Sequence, residues 1–161
     1  MSNLSDKNFL LIILVLGVIY FYFKGNGSND KVDLSQVSFV VDGNTKTLTD
    51  YQGQNVVVNF YASWCRPCMK ELPAMAQTAT QWKDVTFLWL NNENESIVSM
   101  SKQEFKHDTF YLLSNSFKSI GIESIPYTAV LNKKGEVVFS KSGQLNWESE
   151  SFKKEILSKL D

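Results

Sequence analysis

Cys65 and Cys68 are the only two cysteines in the chain, and two residues separate them. The apolar run of residues 56–61 is typical of a buried β-strand and comes just before the pair, and a segment with helical character follows it. This order predicts that the strand delivers Cys65 to the N-terminus of a helix, the usual setting of a redox-active Cys-x-x-Cys pair. There the unpaired N–H groups and the helix dipole favour a thiolate, which is the species that attacks disulfides.

Two other uses of the cysteine pair fit the sequence poorly. A zinc site takes four Cys or His ligands, whereas this chain offers two cysteines and one distant histidine, His107. A structural disulfide that closes so short a loop would remove only about 2 kcal/mol of unfolded-state entropy. We therefore predict redox chemistry with no metal and no cofactor, and we interpret His107 as a surface residue at a helix end.

The two residues between the cysteines should tune their chemistry. Arg66 places a cation beside Cys65, which favours its thiolate and hence the reduced form. Pro67 restricts the turn because its ring fixes one backbone angle.

The length and charge of the chain limit its organisation and its partners. It has 161 residues and a formal net charge of −1. That length fits one domain and an appendage, and the absence of a basic run gives no indication of nucleic-acid binding.

The appendage is an uncharged apolar segment, residues 9–23, near the N-terminus. As a helix it would be roughly 22 Å long against about 30 Å of membrane hydrocarbon, and Lys7 and Lys24 flank it. We predict that residues 1–24 form a retained membrane anchor. A cleaved signal peptide remains an alternative, although no small-residue cleavage pattern precedes the polar stretch, and a buried core helix is the third interpretation.

The segment of residues 25–33 is rich in Gly, Asn, Ser and Asp and is predicted to be a flexible tether. It precedes a predicted domain of residues 34–161. Hydrophobic patterning in that domain predicts the order β-β-β-α-β-α-β-α-β-β-α. Strands are predicted at 37–41, 45–48, 56–61, 85–91, 110–113, 127–131 and 137–140, and helices at 66–82, 95–105, 117–120 and 148–160. The alternation in the middle indicates parallel strands within a mixed-sheet α/β domain.

The element order and the motif Trp64-Cys65-Arg66-Pro67-Cys68 together resemble the thioredoxin superfamily. Within it, the chain is most similar to the membrane-anchored thiol–disulfide oxidoreductases of the TlpA/ResA/DsbE type. The resemblance covers roughly residues 34–160. It implies a thioredoxin-like fold with a mixed central sheet, helices on both faces and an N-terminal β-hairpin extension. It also implies that Cys65 is the exposed attacking thiol and Cys68 the buried resolving thiol.

The same resemblance assigns roles to residues around the cysteines. It implies that Pro126 is a cis-proline facing the pair and that Ile125 before it bonds to the substrate backbone, with Trp64 also at the substrate site. Pro73 matches the proline that kinks the active-site helix. Glu71 matches an acidic residue that tunes the cysteines and helps to move protons, although a solvated helix glutamate is the other interpretation of this residue.

Three positions depart from related patterns. Asn59 stands where ordinary thioredoxins have a buried aspartate, so a proton relay must use Glu71 or water. Tyr127 follows the proline where the family usually has a small hydroxyl residue, which changes the expected shape of the substrate groove. Ala62 occupies the threonine position of a Thr-x-x-Cys frame, which argues against a peroxidase.

These observations favour an enzyme that reduces protein disulfides. The resemblance implies disulfide-containing protein substrates, a membrane thiol–disulfide electron donor, and a single-pass location in a bacterial cell membrane with the redox domain on the extracytoplasmic side. A thiol-based copper carrier or a redox-responsive adaptor at the membrane is the alternative, because copper(I) favours thiolate ligands. The lack of a Met- or His-rich tract beside Cys65 argues against it.

Overall fold

The computed structural model describes residues 32–160, and within them seven strands form one sheet in the order β2-β1-β5-β4-β3-β6-β7. The strands are β1 (Ser38–Val41), β2 (Asn44–Thr47), β3 (Asn55–Phe60), β4 (Val85–Asn91), β5 (Phe110–Leu113), β6 (Tyr127–Leu131) and β7 (Val137–Ser142). The α-helices of this part of the chain are α1 (Arg66–Gln81), α2 (Glu95–Phe105) and α3 (Glu150–Leu157).

The sheet is mixed, as predicted. β3, β4 and β5 are parallel neighbours at its centre. β6 pairs antiparallel with β3, and β7 with β6, while β1 pairs antiparallel with β5 and β2 with β1. The thioredoxin-like α/β architecture and its N-terminal hairpin are therefore confirmed. The hairpin extends the sheet beyond β5, on the side away from β6.

β3 is an interior strand of the sheet and is buried on both faces. All six of its residues are buried, which is typical of a strand that is covered on both faces. On one face the side chain of Val57 joins a cluster that includes Leu72 of α1 and Ile156 of α3. On the other face Val56 and Val58 join a second cluster that includes Phe39.

The helices are distributed less evenly than predicted. All three α-helices contribute to the cluster that contains Val57. The opposite face is covered by short 3-10 helices, Leu34–Gln36, Leu48–Tyr51 and Lys118–Ile120. The predicted helix at 117–120 is thus a single 3-10 turn, because Gly121 adopts a left-handed conformation that ends it.

The terminal helix is also shorter than predicted. It begins at Glu150 because Ser149 caps it, accepting a hydrogen bond from the Phe152 N–H at 3.3 Å. The predicted anchor, residues 1–24, and nearly all of the predicted tether lie outside the described residues, so the domain boundaries stay predictions. Among residues 32–160, no helix has the length and apolar character needed to cross a membrane.

Candidate active site

The two cysteines lie at the start of α1 and form a disulfide. Cys65 is the N-cap of the helix, and its sulfur accepts the Cys68 N–H at 3.3 Å. Pro67 occupies the first turn, where a missing N–H costs nothing. The predicted delivery of Cys65 to a helix N-terminus is confirmed. In the disulfide state Cys65 is 4 % exposed and Cys68 is fully buried, so the attacking thiol implied by the resemblance is only slightly more accessible than its partner.

The residues beside Cys65 present both apolar and basic groups to solvent. Trp64 is 72 % exposed, which makes it the most exposed large hydrophobic residue of residues 32–160. Arg66 is also exposed and forms no ion pair with another described residue. Pro73 lies inside α1, which continues through it, and the predicted kink stays a prediction.

The loop before β6 carries the predicted cis-proline. The Ile125–Pro126 bond is cis, as expected. Ile125 is half-buried and packs against the cluster that contains both cysteines. Its backbone N–H and C=O make no hydrogen bond with any residue from 32 to 160. These groups are therefore available to a partner chain.

Glu71 is buried on α1, one turn after Cys68. It is 2 % exposed, which disagrees with a solvated helix glutamate. Its Oε1 accepts the Asn59 side-chain amide at 2.9 Å, and its Oε2 accepts the Leu145 N–H at 2.7 Å. Burial raises the pKa of Glu71 to about 7, although the hydrogen bonds from Leu145 and Asn59 oppose the shift.

Asn59 connects Glu71 to the strand that follows Pro126. Its Nδ2 donates to Glu71 and also to the Thr128 hydroxyl at 2.9 Å. Its Oδ1 is buried and has no hydrogen-bond partner among the described residues. A buried acceptor without a partner costs free energy. The Asn59 amide therefore satisfies its donor end, through Glu71 and Thr128, but not its acceptor end.

A second glutamate contacts the cysteine loop, which is the segment of residues 61–65 between β3 and α1. Sequence reasoning missed this glutamate. Glu93, in the loop after β4, accepts the Ser63 N–H at 2.7 Å and the Ser63 hydroxyl at 2.8 Å. Asn91 donates to the same carboxylate at 2.7 Å. Nothing local could have revealed the contact, because Ser63 and Glu93 lie 30 residues apart on different loops.

His107 differs from its predicted role. It lies just after α2, as expected, but it is half-buried. Its Nε2 lies 2.9 Å from the Ala76 carbonyl oxygen, and its ring packs against Trp89. The residue therefore joins α1 to the end of α2 rather than standing in solvent.

The chain is similar to known proteins in sequence and in fold. The family model described as Redoxin matches residues 28–156. Thiol-disulfide oxidoreductase ResA of Geobacillus thermodenitrificans is 30% identical over 139 residues, which are 80% of this chain and 79% of that protein. Sporulation thiol-disulfide oxidoreductase A of Bacillus subtilis is 27% identical over 157 residues, 90% of this chain and 94% of that protein.

A solved structure shares the fold. It is that of a thiol:disulfide interchange protein of the thioredoxin family from Chlorobium tepidum, with 23% sequence identity and a TM-score of 0.64. The superposition covers 81% of this chain and 98% of that one.

Proposed function

The chain belongs to the Redoxin family and is a thiol–disulfide oxidoreductase of the ResA/DsbE type, and on this premise we propose that it reduces protein disulfides outside the cytoplasm of a bacterium. Residues 1–24 would hold it to the cell membrane as a single-pass anchor. The observation that carries the proposal is the Cys65–Cys68 disulfide at the N-terminus of α1, with the buried Glu71 one helical turn after Cys68.

The reaction runs through a mixed disulfide. The Cys65 thiolate attacks one sulfur of the substrate disulfide and the other sulfur leaves as a thiolate. The Cys68 thiol then loses its proton and attacks the Cys65 sulfur, which forms the Cys65–Cys68 disulfide and releases the second substrate thiolate. Two electrons pass to the substrate, and a dithiol donor at the membrane returns two electrons to the pair.

Glu71 is suited to take the proton that Cys68 loses. The two residues are one turn apart on the buried face of α1. A carboxyl group with a pKa of about 7 exchanges protons readily at neutral pH. A cleft of about 380 Å³ is lined by Glu71, Leu145 and neighbouring residues, which suits proton exchange between this side of α1 and solvent.

Two features of the surface around the cysteines support substrate binding. The free backbone groups of Ile125 suit an extended chain, which would add to them by main-chain hydrogen bonds. The exposed ring of Trp64 offers apolar contact beside Cys65. Both features recognise backbone and apolar surface, which fits a protein substrate.

Insulin reduction tests the activity. The full chain in detergent, kept reduced with dithiothreitol, should accelerate the turbidity of insulin, and Cys65→Ser should not. Ser99→Ala, an exposed change on α2, is the control and should match the wild type. Equal rates for wild type and Cys65→Ser would overturn the assignment.

Location and partners need separate experiments. In intact cells treated with a mild reductant, a membrane-impermeant maleimide should label Cys65, whereas a cytoplasmic domain would be labelled only after lysis. The full-length chain should fractionate with membranes at its uncleaved mass.

Cys68→Ala should accumulate mixed disulfides, because the resolving thiol is gone, and these identify the substrate and the donor.

A further inference from the structure

The loops that follow β3 and β4 are joined by one carboxylate. Glu93 accepts both the backbone N–H and the hydroxyl of Ser63, at 2.7 and 2.8 Å. Ser63 lies in the loop that connects β3 to α1, two residues before Cys65. The residue is exposed, so its N–H would otherwise bond to water.

Glu93 is itself held from behind. Asn91, the last residue of β4, is fully buried. Its Nδ2 donates to Glu93 Oε2 and its Oδ1 accepts the Glu93 backbone N–H, each at 2.7 Å. The same Nδ2 lies 3.4 Å from the Tyr61 carbonyl oxygen, and the Tyr61 N–H donates to Leu90 at 3.1 Å. Both strand ends and the carboxylate therefore form one hydrogen-bonded unit.

The disulfide between the cysteines is broken during the reaction. The contact between Ser63 and Glu93 then matters more for the position of Cys65. In the disulfide state the S–S bond fixes Cys65 relative to Cys68. After reduction that covalent connection is gone. The position of Cys65 then depends on non-covalent contacts. These are the bond from its N–H to the Ala62 carbonyl oxygen, the bond from the Met69 N–H to its own carbonyl oxygen, its packing in the buried cluster, and the two bonds from Ser63 to Glu93 that hold the loop before it.

We propose that Glu93 is a positioning residue for thiol–disulfide exchange: through Ser63 it holds the cysteine loop so that reduced Cys65 stays at the N-terminus of α1. The inference rests on the thiol–disulfide oxidoreductase activity and adds a residue to its machinery. Glu93 acts on Cys65 through the loop and does not take part in the chemistry itself.

Two substitutions separate the hydrogen bonds from the charge. Glu93→Gln removes the charge but can retain every contact: its carbonyl oxygen accepts the Ser63 and Asn91 N–H groups, and its amide nitrogen donates to the Ser63 hydroxyl. Glu93→Ala removes charge and contacts together. Glu95 is exposed and makes no side-chain hydrogen bond with a described residue, so Glu95→Gln and Glu95→Ala are matched controls.

The rate experiment uses the full chain in detergent and bovine insulin as substrate. We expect Glu93→Ala to reduce insulin roughly tenfold more slowly than the wild type, because small displacements of a reacting group are costly. Glu93→Gln should stay within about twofold of the wild type, since it can retain the contacts that set this cost. Both Glu95 variants should match the wild type. A Glu93→Ala rate equal to that of Glu95→Ala overturns the proposal, and so does a Glu93→Gln rate as low as that of Glu93→Ala.

The pH profile gives a readout that general destabilisation would not move. The midpoint pH of Cys65 alkylation should be higher in Glu93→Ala than in Glu93→Gln, because both lack the charge and only the first loosens the loop that orients the Cys65 sulfur toward the N–H groups of the helix N-terminus. Identical midpoints overturn the proposal.

Ser63→Ala keeps the proposal testable if Glu93→Ala does not fold. This change at an exposed residue removes one of the two bonds and should slow exchange by about two- to threefold, because the backbone contact remains. A Ser63→Ala rate equal to that of the wild type would overturn the proposal. Where Glu93→Ala does fold, Ser63→Ala should add no further loss in the double variant. A full additive loss would mean that the two residues act separately and would overturn the proposal.

Discussion

Two buried asparagines each donate a hydrogen bond to a glutamate carboxylate near the cysteine loop. They differ in whether the oxygen of the asparagine amide also has a partner. At the rim, Asn91 uses both ends of its amide on Glu93, donating to the carboxylate and accepting the backbone N–H. On the core side, Asn59 donates twice, to Glu71 and to Thr128, and its oxygen has no partner among the described residues.

The pKa values of the two carboxyl groups are consequently shifted in opposite directions. Burial raises the pKa of Glu71 to about 7 against a usual value of 4.5, and its two donors do not compensate. Burial also acts to raise the pKa of Glu93, but the hydrogen bonds from Asn91 and Ser63 outweigh it and the pKa lies below the usual value. The same residue type thus provides a group that changes charge near neutral pH and a group that stays ionised.

The largest expected effect comes from Asn59→Asp, which places a second carboxylate 2.9 Å from Glu71. Two buried carboxylates at that distance cannot both ionise without strong repulsion. At pH 5 the two carboxyl groups should share a proton. At pH 8 the variant should be less stable than the wild type by on the order of 3 kcal/mol. Urea unfolding of the disulfide-bonded full chain in detergent measures this, because all four tryptophans lie within residues 64–147.

Asn59→Ala is the control for that experiment. It removes the amide without adding charge, so its loss of stability should depend on pH less than that of Asn59→Asp, growing between pH 5 and 8 only by the hydrogen bond with which Asn59 stabilises ionised Glu71. An equal loss at pH 5 and pH 8 for Asn59→Asp would show that packing, and not the carboxylate pair, sets the effect.

A second prediction concerns the pH dependence of the wild type. The folded pKa of Glu71 is raised, so the folded state binds the proton more tightly than the unfolded state, and stability falls as pH rises from about 4.5 to about 7. The difference corresponds to at most about 3 kcal/mol. Glu71→Gln should remove this decline, and parallel curves for the two proteins between pH 4.5 and 8 would contradict it.

The structure explains why Glu71→Gln should fold. A glutamine oxygen can accept the Leu145 N–H while its amide nitrogen faces Asn59. Rotation of the Asn59 amide by half a turn would then present its unpaired Oδ1 to that nitrogen. The hydrogen bond between residues 59 and 71 is thereby kept with its direction reversed, while the Asn59 Nδ2 takes the buried position in which Oδ1 has no partner among the described residues.

The same variant has a smaller expected effect on the thiols. The ionised Glu71 carboxylate disfavours a nearby thiolate, so Glu71→Gln should lower the midpoint pH of cysteine alkylation in the reduced protein. Alkylation rates measured from pH 5 to 10 check this shift. Superimposable curves would remove Glu71 from the proton relay and leave it as a buried structural group.

Local sequence predicted the parts of this site that local structure builds. The apolar run of β3 and the Cys-x-x-Cys pair placed Cys65 at a helix N-terminus, and the spacing of Cys68 and Glu71 placed them on one helix face. These relations span few residues, so the sequence pattern carries them directly.

The relations that set the charge of the site could not be predicted in this way. Leu145 donates to Glu71 across 74 residues, and Ser63 donates to Glu93 across 30. Both contacts depend on which loops meet at the ends of the sheet. The 3-10 turn at Lys118–Ile120, which is predicted as a helix, is a different case, because the left-handed Gly121 that ends it is the next residue in the sequence.

The smallest expected effect is that of Glu93→Gln on stability, and it is the sharpest test of the contrast between the two glutamates. A depressed pKa means that ionised Glu93 contributes stability above its unfolded pKa and loses it only as pH falls through the lower folded value. Between pH 5 and 8 the difference between Glu93→Gln and the wild type should therefore be constant, at about 0.5 kcal/mol or less, because glutamine can still bond to the Ser63 N–H, the Ser63 hydroxyl and the Asn91 amide. Glu95→Gln is the matched control and urea unfolding the measurement. A wild type that loses stability relative to Glu93→Gln as pH rises from 5 to 8 would mean that Glu93 holds a proton up to near neutrality as Glu71 does. The two carboxyl groups would then no longer divide into one that titrates near neutral pH and one that stays charged.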